Sequence, residues 1–276
     1  MARESKTSAS AELVISELEF GEAQFHILGR SPFVFNRMSE KARMQLLLPR
    51  PGRMGAAEKA SNIKHDPLQE YRDSVYRYRT DDHPTRLKFP SNALKKAAAS
   101  AALDIPGAAK TEIGRLLTAQ WGDVEIFGRP QLYMAVVRMA GIQKTPDIRT
   151  RALLPKWATT ITLRYMRPKL NFQSVANLLA AAGMIVGVGD GRQEKGTFSF
   201  GQFEIVTEDD PEYLAVLREG REIQDEALAN PDFYDDETED MYRWYYEERK
   251  RRGSDSDKPK KRRKAIDTSE GEAAHA

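Results

Sequence analysis

Three observations predict an α+β fold. Short stretches of alternating polar and apolar side chains recur through the first 206 residues, and two stretches of helical periodicity fall between them. Along the chain the order is strand, helix, strand or hairpin, strand, helix, strand, which is that of a ferredoxin-like, RRM-like split βαβ domain whose helices cover one sheet face. Residues 1–206 are read as this domain, with an insertion at about 37–88. An acidic, partly helical extension at 207–252 follows, and then a basic tail at 253–276 whose composition predicts disorder.

The first strand is Glu22 to Leu28, EAQFHIL, which alternates and ends at Gly29 before Ser31-Pro32 breaks it. The polar and basic stretch from Arg37 to about Lys88 is read as an insertion with some helix rather than as core. After Phe89-Pro90, Ser91 or Asn92 can cap an alanine-rich helix from Ala93 to Leu103. Asp123 to Phe127 and Gln131 to Met139 are two strands around Gly128-Arg129-Pro130 and suit a hairpin. Gly141 to Trp157 reads as a polar, basic loop. Ala158 to Met166 is a strand with Ile161, Leu163 and Tyr165 on one face. Asn171 caps a second helix whose Val175, Leu178, Leu179 and Ala182 share a stripe, with Gly183 as its stop. After the glycine-rich GVGDGRQEKG, the run TFSFGQFEIV closes the domain as a strand. Beyond Thr207, Glu212 to Ala229 suits a helix, and FYDDETEDMYRWYYEERKRR has helix-compatible spacing.

Composition narrows the function. At 276 residues, with 40% hydrophobic and 30% charged side chains, the chain is long enough for a self-sufficient core. It has no cysteine, which excludes disulfides, thiolate metal sites and cysteine nucleophiles. No run approaches the roughly 20 apolar residues of a membrane span and the opening residues lack a secretory pattern, so a soluble, cytoplasmic protein without a membrane partner is expected. The net charge of +2 hides a division. Residues 1–206 hold 30 basic against 20 acidic side chains, whereas residues 207–276 hold 13 against 21. A basic body favours a polyanionic partner such as nucleic acid. The acidic extension is expected to shield that body, to dock a protein partner or to mediate self-association.

The glycine-rich loop carries the main functional signal. Gly187, Gly189, Gly191, Gly196 and Gly201 permit close backbone approach, while Arg192 and Lys195 supply charge to an anion. The string leads from a helix into a strand and lacks a GK[ST] ending, so it is neither a dinucleotide fingerprint nor a Walker loop. Together with the opening strand and the helix entered through FPSNALKKAAASAA, it resembles the RAMP superfamily of CRISPR backbone and processing subunits. Pro90, Ser91 and Lys95 match that family's first motif, and Gly187, Gly189, Gly196 and Gly201 its glycine-rich loop, over roughly residues 20–206.

The resemblance implies a phage-encoded or CRISPR-associated protein that binds single-stranded RNA or DNA and assembles along it. Lys95 and Lys96 on the first helix then join the glycine loop as candidate contacts. In backbone subunits a thumb protrudes between the paired strands, and here that segment carries Lys144, Arg149, Arg151, Lys156 and Trp157, cations beside a stacking aromatic. Processing members of the family use a histidine for metal-independent RNA cleavage, which makes His26, on the first strand, the residue to weigh. A RAMP-like endoribonuclease is therefore the alternative, and a structural assembly protein the third reading. His65-Asp66 and Asp81-Asp82-His83 have metal-ligand chemistry but no known ligand spacing. No cofactor is expected. Lys258 to Lys264, KPKKRRK, resembles a nuclear-import signal or a nucleic-acid patch.

Overall fold

The computed structural model describes residues 17–38, 65–138, 146–195 and 198–251, with positions 43 and 47 in addition. The strands are β1 (Glu19–Gly29), β2 (Phe33–Val34), β3 (Tyr76–Arg77), β4 (Leu87–Pro90), β5 (Leu117–Ala119), β6 (Asp123–Phe127), β7 (Gln131–Arg138), β8 (Pro146–Leu154), β9 (Ala158–Arg167) and β10 (Phe203–Val206). The helices are α1 (Pro67–Asp73), α2 (Ser91–Ala101), α3 (Lys110–Leu116), α4 (Phe172–Ala181), α5 (Pro211–Leu217), α6 (Arg221–Ala229) and α7 (Asp236–Arg251).

The molecule is α+β, with antiparallel sheets. The larger sheet runs β10-β1-β9-β6-β4-β3, and β5 pairs with the far end of β9. Its register follows from side-chain alternation: Phe25 lies opposite Ile161 and Ala23 opposite Leu163, so the apolar members of both central strands share one face. Helices α2 and α4 pack on that face. Leu94, Ala97, Ala98 and Ala101 of α2 are buried, as are Val175, Leu178 and Leu179 of α4. Small alanine side chains let α2 come close to the sheet and to α4. Asn171 caps α4 as its sequence indicates, accepting the Ser174 N–H at 2.8 Å.

Several elements depart from the sequence reading. Asp123–Phe127 and Gln131–Arg138 do not form a hairpin, because β6 joins the larger sheet while β7 pairs with β8 in a second sheet of order β2-β8-β7. The expected 141–157 loop is a strand from Pro146 to Leu154. The polar stretch read as an insertion supplies core: Tyr71, Val75 and Leu87 are buried, and β4 pairs with β6 inside the main sheet. Ser91 begins α2 without capping it, and its hydroxyl donates to the carbonyls of Gln120 and Gly122. Gly183 does not stop α4; a π-turn, Ala182–Val186, follows and ends at Gly187. The closing strand begins only at Phe203, and the Glu212 to Ala229 helix is split in two at Arg218 to Gly220.

The acidic extension is built into the body. Tyr213 and Val216 of α5 pack on Leu28 and Ala158, on the sheet face opposite α2 and α4. Gln224 of α6 is fully buried, with Oε1 accepting from the Arg86 and Leu87 N–H groups and Nε2 donating to the Ile126 and Gly128 carbonyls. Phe233 bridges Leu132 on the edge of β7, and Thr238 of α7 accepts the Met134 N–H, so this segment covers an edge strand. Among the described residues no helix is long and apolar enough to cross a membrane.

Candidate nucleic-acid interface

The glycine-rich loop is pinned to β2 and to the approach of β10. Gly189 has φ +87°, and a Cβ there would sit 2.7 Å from the Val34 carbonyl oxygen and against the Phe33 ring, so glycine is required by packing. The Val188 N–H donates to Gly201 O, Asp190 N–H to Val34 O, Glu194 N–H to Val186 O and Lys195 N–H to Arg192 O. These donors serve the fold. With those four N–H groups committed, the charge available to an anion at this loop comes from its side chains.

The side chains converge. A cleft of about 510 Å³ lies between the loop, α2 and α3, lined by Lys96, Lys110, Arg192 and Lys195 over an apolar floor that includes Ala93, Ala97 and Val188. Its one lining carboxylate among the described residues is Glu194. Burial pushes the Glu194 carboxyl up, but hydrogen bonds from Arg192 and Ser100 outweigh it and hold it below the usual carboxylate range. Arg192 is thereby engaged, through Nε to Glu194 (3.2 Å) and Nη1 to Gly189 O (3.2 Å). Lys96, Lys110 and Lys195 have no carboxylate within ion-pair distance among the described residues. Three ammonium groups around a cleft whose carboxylate is hydrogen-bonded give it the charge that an extended or multiply charged anion would complement.

The remaining sequence candidates are scattered. Gly187 and Gly189 line the cleft, whereas Gly191 and Lys95 do not. Lys144 and Gly196 lie outside the described residues. Arg149 and Arg151, on β8, line a separate cleft of about 320 Å³ with Arg37. Arg151 also donates to Phe35 O (3.0 Å) and pairs with Asp190 (3.1 Å), tying the second sheet to the glycine loop, and burial lowers its pKa. Lys156 is exposed in the turn before β9 and lines neither cleft. Trp157 is 1% exposed, with its ring against Phe33 and its Nε1 donating to Ser31 O at 2.9 Å. Its indole is core and cannot stack on a base.

The histidines are bound up in local structure. His26 Nδ1 lies 3.1 Å from the Tyr213 hydroxyl, which also meets Thr160, in a polar cluster beneath α5. His65 sits between Glu70 (2.8 Å) and Asp147 (3.2 Å), and His83 stacks on Tyr78 beside Glu125. Asp66 caps α1 by accepting the Gln69 N–H. The sequence pairing of His65-Asp66 with Asp81-Asp82-His83 is thus not brought together, and among the described residues no group of three or more such side chains is placed to hold a metal ion. His275 lies outside them.

Sequence reasoning missed Lys110. A cation at the first position of a helix runs against the helix dipole, and that local mismatch was the available signal. Set against known proteins, the sequence matches no protein-family model. It also matches no curated protein.

Proposed function

We propose that the chain is a non-catalytic binding protein for single-stranded nucleic acid, of the RAMP kind, with the cleft between α2, α3 and the glycine-rich loop as its anchoring site. The observation that carries this reading is the meeting of Lys96, Lys110 and Lys195 around a cleft whose one lining carboxylate among the described residues, Glu194, is already held by Arg192 and Ser100. The strand order β10-β1-β9-β6, with α2 between β1 and β6 and α4 between β9 and β10, supports a ferredoxin-like core of split βαβ units. Lysines placed as flexible point charges suit a backbone of phosphates read without sequence preference.

The test is fluorescence anisotropy of the full chain with a labelled 20-nucleotide polyuridine RNA and the matching DNA over a salt series, with product gels run in EDTA. Affinity is expected to fall with salt, and replacing the three lysines by alanine to flatten the log–log slope by about 2, at roughly 0.7 per lost phosphate contact on single strands. Salt-independent binding, or an unchanged slope in the triple variant, sinks the interface. Cleavage in EDTA would favour an endoribonuclease, and no binding at all an assembly role.

A further inference from the structure

We infer that a second cleft, between β3, β4 and the C-terminal ends of α1 and α6, binds an oligophosphate group, the chemistry shared by a nucleoside triphosphate and a 5′-triphosphate strand end. The cleft has a volume of about 840 Å³, within the range of small-molecule sites, and shares no lining residue with the glycine-loop cleft. Among the described residues six cations line it, Arg37, Arg72, Arg77, Arg79, Arg86 and Lys88, against the two carboxylates Asp73 and Asp225.

These cations fall into two groups. Three are consumed by the fold: Arg72 donates to the last carbonyls of α6, Leu228 O (2.9 Å) and Ala229 O (2.8 Å); Arg86 forks onto Asp225 (2.6 and 3.0 Å); and Lys88 pairs with Asp123 at 2.7 Å. The other three are not. Arg37 donates to Asp73 O (3.0 Å) and Arg77 to Arg72 O, each a backbone carbonyl, and Arg79 has neither a hydrogen bond nor an ion pair among the described residues. Since each guanidinium offers five N–H donors in a planar fork, most of the donors on these three arginines have no partner among the described residues.

The like charges are also close enough to act on one another. Burial disfavours the charge on Arg77, Asp73 and Tyr71 oppose it, and Arg37 and Arg72 add smaller repulsions. A multiply charged anion relieves that repulsion, and bidentate guanidinium contacts to phosphate oxygens are the means. The base is not read. Of the two tyrosines that line the cleft, Tyr78 is already stacked on His83 at 3.5 Å with Lys88 Nζ 5.1 Å from its centroid, and Tyr76 is partly buried against the hydrophobic core.

The experiment is calorimetric titration of the full chain with inorganic tripolyphosphate, ATP and CTP, and with sulfate at matched ionic strength. The three phosphates are expected to bind alike and more tightly than sulfate. The double variant Arg77→Ala with Arg79→Ala should lose affinity by roughly tenfold or more, while Lys96→Ala with Lys195→Ala stays within about twofold. Arg79→Ala alone, at an exposed side chain without partners among the described residues, should weaken tripolyphosphate by about fivefold and keeps the test sound if the double variant unfolds. Competition by tripolyphosphate against a 5′-triphosphorylated RNA but not against its 5′-hydroxyl form would assign the group to a strand end, and binding of free nucleotides alone to the nucleotide pool. Tripolyphosphate binding no tighter than sulfate, or unaltered by Arg79→Ala in a folded protein, overturns the inference, and neither result bears on the lysine cleft.

Discussion

Gly201 shows what the glycine-rich segment demands of single residues. Its φ is +71°, and a Cβ would overlap the Val188 carbonyl oxygen and carbon, where the loop crosses the approach to β10. Gly201→Ala is expected to cost about 3 kcal/mol or more, from backbone strain and the forced displacement of Val188, measured by chemical denaturation. A loss under about 0.5 kcal/mol, the usual size for a surface substitution, would refute that packing account. Tyr78 gives a second test. Burial, followed by the charges of Glu125 and Asp123, pushes its phenol up to about 12 from the ordinary 10.0. A raised phenol pKa favours the neutral form in the folded state, so its stabilisation is complete below pH 10 and is lost as pH rises toward 12. Wild type should therefore lose stability more steeply than Tyr78→Phe across that window, and parallel curves would contradict the assignment. At this scale the sequence was a partial guide. Lys96, Arg192 and Lys195 were legible as cations near a loop, but charge and aromaticity alone gave no sign that Trp157 is buried under Gly29 and Phe33, since burial depends on what crosses over the ring.

At the scale of elements, β1, β9, α2 and α4 were legible because each buries one face and so imposes its own period. The β7–β8 hairpin was not. Its second strand, PDIRTRALL, begins with proline and aspartate, and its outer half is only partly buried, so its alternation is weak until Thr150. The insertion was misread for a related reason: α1 and β4 are short, and their apolar residues are too few to show a period, yet Tyr71 and Leu87 lie fully within the core. Short α6 is tied to the sheet through one buried side chain. Gln224 satisfies two N–H groups at the start of β4 and two carbonyls at the end of β6, all from one buried amide. Gln224→Leu keeps the volume and strands those groups, so a loss of about 3 kcal/mol is expected in thermal or denaturant unfolding. Retention of wild-type stability would mean that water or a shifted backbone replaces the amide without penalty.

For the whole molecule, the division of charge finds its explanation in the docking of the extension onto the body. Glu212 pairs with Arg30, Asp225 with Arg86 and Asp232 with Arg129, while Arg221 returns the exchange to Asp81. Pairs as exposed as Arg30–Glu212 and Arg129–Asp232 contribute little individually, and together with the half-buried Arg86 and Arg221 pairs they match two surfaces that apolar burial holds together. From charge alone, removing residues 207–276, with their surplus of eight negative charges, would be expected to bare the basic body and tighten nucleic-acid binding. The packing predicts a different outcome. Truncation at 206 removes Tyr213 and Val216 from Leu28 and Ala158, and Leu228 from the main core. It also takes away the acceptor for the Arg86 and Leu87 N–H groups and one of the two acceptors of the buried Tyr71 hydroxyl. Each stranded buried donor costs about 1–3 kcal/mol, and each large apolar side chain left uncovered about 1.5–3 kcal/mol more, against a total stability of roughly 5–15 kcal/mol. The 1–206 fragment is therefore expected to lose its cooperative thermal transition and to bind a hydrophobic dye, while the full chain melts sharply. A 1–206 fragment that melts cooperatively near the temperature of the full chain would show that the extension is a separable arm, and the salt-dependent shielding of the basic body would then become the measurement to make.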